Sequence, residues 1–279
     1  MVCVPHDRSK AVADLLAAWN LRPDGEAAHR EHSVIVPVVT DDGAPAVLKV
    51  SDPDAASPHE HLVLRRWAGD GAARLLRAEP HRHAVLVERL GDHGLVDAWD
   101  VEACEVVAGL YARLHVPAMP QLPRLSDRVR DWVDDLAALP RNAPIPRRLV
   151  ERSLAVGRAA LADAATDAVV LHGDLHYGKV LAADREPWLA VGPRPFNGDP
   201  HLEIVPMLVH RFDELAGDTR GGLRRRFWAL VDAAELSDER ARDWAVFRMT
   251  CHAMTALRSA EPDAAWLTTC VAVAKAVQD

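Results

Sequence analysis

Lysine is scarce in this sequence. Of the 33 basic residues among 279, only Lys10, Lys49, Lys179 and Lys275 are lysines. The excess of Ala and Arg over Lys fits a GC-rich coding bias, so each retained lysine is informative. Long apolar runs are missing: no window approaches the ~18 uncharged apolar residues of a membrane helix, and no membrane partner is expected. Basic excess is missing too, since the net charge is −8; this argues against a nucleic-acid partner, which calls for a basic face. Cysteine is rare. Cys3, Cys104, Cys251 and Cys270 form no C-x-x-C pair and no metal-ligand spacing. The last three lie in helical-looking apolar segments, where reduced buried thiols are expected. With no apolar leader near Met1, the expectation is a cytoplasmic protein. A hydrophobic content of 49% with 27% charged residues excludes general disorder.

What is present changes character along the chain. Residues 11–19 suggest a helix. Ser33–Val39 and Pro45–Val50 read as strands around Asp41-Asp42-Gly43, a hairpin signal. Ser57-Pro58-His59-Glu60 then predicts a helix start, with Ser57 as N-cap, Pro58 first and Glu60 third. Ala84–Leu90 is a further strand, and the breaker-rich Gly91-Asp92-His93-Gly94 follows it. Beyond residue 100 the spacing is mostly helical, interrupted by a strand over 168–171 and a hairpin over 180–191 that turns near Arg185. The expected fold class is α+β and bilobal: a small strand-rich lobe over 1–91, and over 92–279 a larger helical lobe that carries the hairpin.

The stretch Leu171-His172-Gly173-Asp174-Leu175-His176-Tyr177-Gly178-Lys179-Val180-Leu181 joins that strand to the hairpin, where loops carry function. It resembles the loop H-G-D-L-H-x-G-N-V-L of the aminoglycoside and hydroxyurea resistance kinases, a family that includes streptomycin phosphotransferases. Ala46-Val47-Leu48-Lys49, the Glu60 segment, Leu86–Leu90 and Gly198-Asp199-Pro200 fit the same family in order. The resemblance spans most of the chain. It implies a protein-kinase-like fold with ATP in an interlobe cleft and a small acceptor on the helical lobe. Lys49 then matches the lysine on the nucleotide phosphates, Glu60 its ion-pair partner, and Asp174 the base beside the acceptor hydroxyl. Glu88 to Leu90 matches the stretch that meets adenine through its backbone. Taken alone, Glu60 also reads as a capping-box carboxylate and Lys49 as a solvated strand-end charge.

Two positions depart from the family. Lys179 stands where the family has a metal-binding Asn, and Gly192 where it has a metal-binding Asp. Magnesium needs oxygen ligands, which neither an ammonium nor a glycine supplies. Ordinary magnesium-dependent kinase activity is therefore not expected, ATP is an open cofactor, and no residue is assigned to a metal. Lys179 reads either as a clamp in the metal's place or as a working cation beside Asp174. Arg194 keeps positive charge near Gly192. His210 and His252 match acceptor-side segments and read as substrate contacts, acid–base groups or packing. His172 is expected to brace the loop, with His176 and Tyr177 edging the cleft and Glu203 tightening the lobe.

The function expected from these residues is acid–base chemistry without a metal on a small molecule, anionic or hydroxyl-bearing, of specialised metabolism or antibiotic modification. Asp174, Lys179 and His252 are its candidate catalytic residues, and His176, Arg194 and His210 its candidate substrate contacts. The alternatives are a true ATP-dependent antibiotic phosphotransferase with rescued metal binding, and a non-catalytic pseudokinase that binds a metabolite or a partner protein. Fold ancestry does not decide among the three.

Overall fold

Alternation of buried residues with half-buried or exposed ones over Ser33–Val39 and Pro45–Ser51 builds the first part of the molecule. In the computed structural model, which describes residues 8–53, 58–259, 261 and 263–278, the elements begin with α1 (Arg8–Ala18), β1 (Arg22–Pro23), β2 (Ala28–Arg30), β3 (Ser33–Val39) and β4 (Pro45–Ser51). They continue with α2 (Glu60–Trp67), β5 (Leu75–Glu79) and β6 (Ala84–Glu88). The sheet runs β1-β3-β4-β6-β5, and β2 also pairs with β3. Val34, Val36, Val38, Ala46, Leu48 and Val50 point to one face, where Leu15 and Trp19 complete an apolar core. Period-two geometry therefore turns Lys49 to the opposite face.

The helix start read at Ser57 requires correction. Ser57 lies outside the described residues, Pro58 and His59 form a turn, and helix α2 begins at Glu60 with no side-chain cap from His59. The Glu60 carboxylate, which the sequence read as a cap, is bonded to Lys49 on β4.

The helical part contains α3 (Asp100–Leu114), α4 (Leu125–Ala137) and α5 (Arg147–Leu161), then strands β7 (Val169–Leu171), β8 (Val180–Leu181), β9 (Leu189–Ala190) and β10 (Phe196–Gly198). Helices α6 (Val205–Val209), α7 (Thr219–Ala233), α8 (Asp238–Arg258) and α9 (Ala264–Ala276) close the chain. Helix α3 packs on α7, α4 on α5, α5 on α8, and α8 on α9. Gly157 permits the close approach around α5: a β-carbon there would meet Val133 Cγ2 at 2.5 Å and Phe247 Cε2 at 2.8 Å. Strand β7 pairs antiparallel with β10, Leu171 opposite Phe196, and so fixes the root of the loop that begins at His172. The thiols of Cys104, Cys251 and Cys270 are free and buried, and burial pushes each up to about 12. No helix among the described residues is long and apolar enough to cross a membrane.

The chain divides into two compact units, Met1–His93 with Leu181–Arg194, and Gly94–Val180 with Pro195–Asp279. The sequence placed a boundary after residue 91 and the hairpin with the helices. The hairpin segment instead belongs with the first unit, because its hydrogen bonds go there. Ala73 N–H donates to the Ala190 carbonyl at 2.9 Å, Ala190 N–H to Gly71 at 2.9 Å, and Gly91 N–H to Ala182 at 2.8 Å. Arg185 at its turn reinforces this. Its guanidinium reaches the Glu88 carboxylate at 2.6 Å, the Gly69 carbonyl at 2.8 Å and the Ala72 carbonyl at 2.9 Å.

Candidate active site

In the first unit, Lys49 Nζ lies 2.7 Å from Glu60 Oε2, with side chains 20% and 7% exposed. Strand β4 supplies the lysine and the first turn of α2 the carboxylate. The pair is well shielded from water, which strengthens its attraction and holds the ammonium in one place. Glu88 and Leu90 are half-buried at the end of β6. The Glu88 side chain is occupied by Arg185 and by the Arg74 N–H, which donates to it at 2.8 Å. This carboxylate therefore braces the strand end. Arg194 is an exposed residue at the end of the same unit.

In the second unit the loop after β7 is anchored from below. Glu203, 2% exposed, accepts the His172 N–H at 2.7 Å and the Gly173 N–H at 2.9 Å. His115 Nε2 stands 3.7 Å from the same carboxylate. Gly173 takes φ +80°, a left-handed turn open to glycine, and this swings Asp174 out of the strand direction. His172 is fully buried, and its Nδ1 accepts the Asp174 N–H at 3.3 Å. The expected bracing roles of His172 and Glu203 thus take the form of bonds to the loop's backbone.

Around Asp174 the loop gathers three of the residues singled out in the sequence. Lys179 Nζ is 3.9 Å from Asp174 Oδ2, and His176 Nε2 is 4.0 Å from Asp174 Oδ1. The ring of His210, from the end of α6, lies cofacial on that of His176, with centroids 3.5 Å apart and planes 4° from parallel. The Gly178 N–H donates to His176 Nδ1 at 3.2 Å, which leaves the proton of the neutral ring on Nε2, facing Asp174. Partial burial holds His210 below its ordinary range, Asp174 opposes that shift and Lys179 adds to it.

His252 is placed differently. It packs edge-on against Trp266, ring centroids 5.6 Å apart, and burial together with Arg248 pulls it down to about 3. Its ring is therefore neutral at physiological pH, and of the readings the sequence left open for it the contact with Trp266 favours packing. Among the described residues, Asp174, His176 and His210 form a cluster of titratable groups with one donor atom of each within 4.8 Å of the others.

This donor set suits magnesium poorly, because Asp174 alone brings oxygen and an ammonium stands beside it. It also suits a softer ion poorly. A metal must lie near the plane of each imidazole it binds, and two parallel rings 3.5 Å apart have no common plane. The Gly178 N–H further commits the His176 tautomer to a proton on the nitrogen facing Asp174.

Arg226 and Asp100, which carry no evident sequence signal, support the cluster together with Tyr177. Arg226, fully buried on α7, donates to the Asp100 carboxylate at 2.6 Å, to the His210 carbonyl at 2.7 Å and to the Arg211 carbonyl at 3.0 Å. The Tyr177 hydroxyl donates to the other oxygen of Asp100 at 2.6 Å. Arg226 and Asp100 are far apart in sequence, and no local pattern marks them; Tyr177, expected at the cleft edge, is instead buried.

The model of the aminoglycoside/hydroxyurea antibiotic resistance kinase family matches residues 18–260. The chain belongs to that family. It is 39% identical over 244 residues to streptomycin 6-kinase of Streptomyces griseus, covering 85% of this chain and 79% of that protein. It is likewise 39% identical over 246 residues to hydroxyurea phosphotransferase of Kitasatospora aureofaciens, covering 85% and 70%. Among solved structures, choline kinase from Streptococcus pneumoniae is similar with a TM-score of 0.64 at 9% identity, over 97% of this chain and 98% of that one. A thermostable aminoglycoside phosphotransferase mutant in complex with ADP and hygromycin B has a TM-score of 0.62 at 13% identity, over 95% and 97%. These likenesses establish the protein-kinase-like fold, strand-rich toward the amino terminus and helical beyond. Within this resistance-kinase family the chain is a kinase-fold protein related to enzymes that modify small molecules.

Proposed function

We propose that this family member acts on a small hydroxyl-bearing or anionic molecule with Asp174 as proton acceptor and Lys179 as the fixed cation beside it, without a divalent ion. The observation that carries this reading is the ammonium 3.9 Å from Asp174 Oδ2. A proton leaving a substrate hydroxyl for Asp174 builds negative charge on the substrate oxygen, and a positioned ammonium stabilises that charge. Because His176 Nδ1 accepts the Gly178 N–H, its Nε2 carries a proton, which adds a hydrogen-bond donor on the Asp174 side. Lys179 and Gly192 at the positions of the family's metal ligands favour the same reading.

Streptomycin and hydroxyurea, named for the relatives, are the first compounds to offer. The test incubates the protein with each compound and ATP, in EDTA and in magnesium, and follows consumption and new products by mass spectrometry. Turnover retained in EDTA and lost in Asp174→Asn supports the reading. Turnover that requires magnesium sinks it.

One observation favours a second reading, ATP-dependent phosphoryl transfer: the shielded Lys49–Glu60 pair at 2.7 Å suits it to hold nucleotide phosphates. Magnesium-dependent release of ADP with a hydroxylated acceptor would decide for it.

A further inference from the structure

His210 ends α6, and the next residue, Arg211, takes φ +57°. A left-handed conformation at a bulky residue is costly and persists only where its surroundings hold it. Arg226 does so from full burial, its guanidinium bridging the carbonyls of both His210 and Arg211. The Arg211 side chain adds to the hold. It donates to the Ala98 carbonyl at 3.0 Å, and its guanidinium carbon stands 4.6 Å above the Tyr177 ring.

The same Arg226 is tied to the other side of the histidine stack. Asp100 receives its Nε on one oxygen and the Tyr177 hydroxyl on the other, both at 2.6 Å. Tyr177 follows His176 directly in the chain, so one buried guanidinium reaches the backbone of one ring and the neighbour of the other.

We propose that Arg226 is a positioning residue that sets the cofacial His176–His210 pair, acting through the His210 and Arg211 carbonyls and, by way of Asp100, through Tyr177. Its planar fork suits this task, since it supplies three separate donors in fixed directions, which an ammonium does not. Among the described residues, the charged groups that act on His210 are Asp174 and Lys179, and Asp174 also faces His176. Arg226 meets His210 only at its carbonyl, so its influence is geometric. The catalytic importance of the pair rests on the function proposed above, but its geometry does not, and the test needs no substrate.

The experiment records the ring signals of His176 and His210 by NMR across pH in the substrate-free protein. It compares the wild type with Tyr177→Phe, Asp100→Asn and Arg226→Lys, and uses Arg225→Gln as control. Arg225 pairs with Asp218 on the exposed side of the same helix. In the wild type the stacked rings shift each other's protons upfield and His210 titrates below 6.5. In Tyr177→Phe and Asp100→Asn the mutual upfield shift shrinks. The His210 midpoint rises toward the ordinary imidazole range as the burial that lowers it is relaxed. Arg226→Lys fails to restore either signal, and Arg225→Gln leaves both unchanged. Folded Tyr177→Phe and Asp100→Asn proteins with unaltered ring shifts and midpoints would overturn the proposal, even if they melt earlier. Should Arg226→Lys not fold, those two variants decide. Loss of turnover in EDTA, by contrast, bears only on the proposed chemistry.

Discussion

Lys179 Nζ stands 3.9 Å from Asp174 Oδ2, both half-buried and five residues apart in one loop. At that distance the carboxylate and the ammonium attract each other directly, and this is the arrangement on which the proposed function rests. A single ammonium carries half the charge of a magnesium ion and coordinates nothing, so under the proposed function recognition by hydrogen bonds takes the place of metal clamping.

Placing oxygen at Lys179 and Gly192, the two positions that the sequence reads as departures from the family's metal ligands, tests the metal-free proposal. The wild-type melting temperature in ATP is expected to be the same in magnesium and in EDTA. The double variant Lys179→Asn, Gly192→Asp should melt higher with magnesium. A gain of ~1 kcal/mol would appear as about 2–4 °C for a protein of this size. A thermal-shift titration checks this, and magnesium-dependent stabilisation of the wild type would contradict it.

Loss of the lysine from the Lys49–Glu60 pair strands a carboxylate that is only 7% exposed. Lys49→Met should therefore lower unfolding free energy by ~3 kcal/mol in urea titration, near the low end for breaking a buried pair. Glu60→Gln should cost less, because the ammonium it leaves behind is 20% exposed and reaches water. Equal costs for the two variants would show that the shielding is not what matters.

Glu203 offers a carboxylate to two successive amides, and a carboxamide accepts well from only one of them. Glu203→Gln should cost ~2 kcal/mol locally, since a charge-assisted bond is worth about 1.5–3 kcal/mol. Hydrogen exchange at the His172 and Gly173 amides should then speed up by roughly 30-fold while α8 is unaffected. Unchanged exchange would remove Glu203 as the loop's anchor.

His252 is held at about 3 against an ordinary 6.5, so the folded state binds this proton less readily than the unfolded chain. Stability from this group is fully present above 6.5 and is lost as pH falls from there toward 3. The slope in that window reaches ~1.4 kcal/mol per pH unit. Urea midpoints between pH 4 and 7 should fall less steeply with acid in His252→Phe than in the wild type. Parallel profiles would show that His252 does not contribute.

Much of this architecture was legible locally. The alternation of Val34, Val36 and Val38 against Ala46, Leu48 and Val50 announces the hairpin and turns Lys49 away from the α1 core. The strand-loop-strand course around Asp174 is likewise visible in its apolar runs and breakers. Strand β5 was missed because Leu75–Glu79 shows no clean alternation, and its register against β6 shifts between Leu75 and Arg77. The helix start was misread because Pro58 and Glu60 mimic a cap, while the carboxylate has a partner on β4. Arg226 and Asp100 are remote in sequence, as are Arg185 and Glu88, and each side chain by itself is an ordinary charge. Only the folded chain identifies them as pairs. The same limit applied to His210, whose segment was recognised but whose stacking on His176 was not.

The unit formed by Met1–His93 with Leu181–Arg194 is discontinuous, and this has a consequence for biosynthesis. Its early strands leave the ribosome long before Arg185 does, so Glu88 emerges without the guanidinium it later holds. The whole segment Gly94–Val180 must be translated in between. Because chains are made at ~5–20 residues per second, that order leaves the nascent strands several seconds without their last clasp. Completion of the amino-terminal unit is thus tied to translation through much of the helical one, whatever order the sequence suggests.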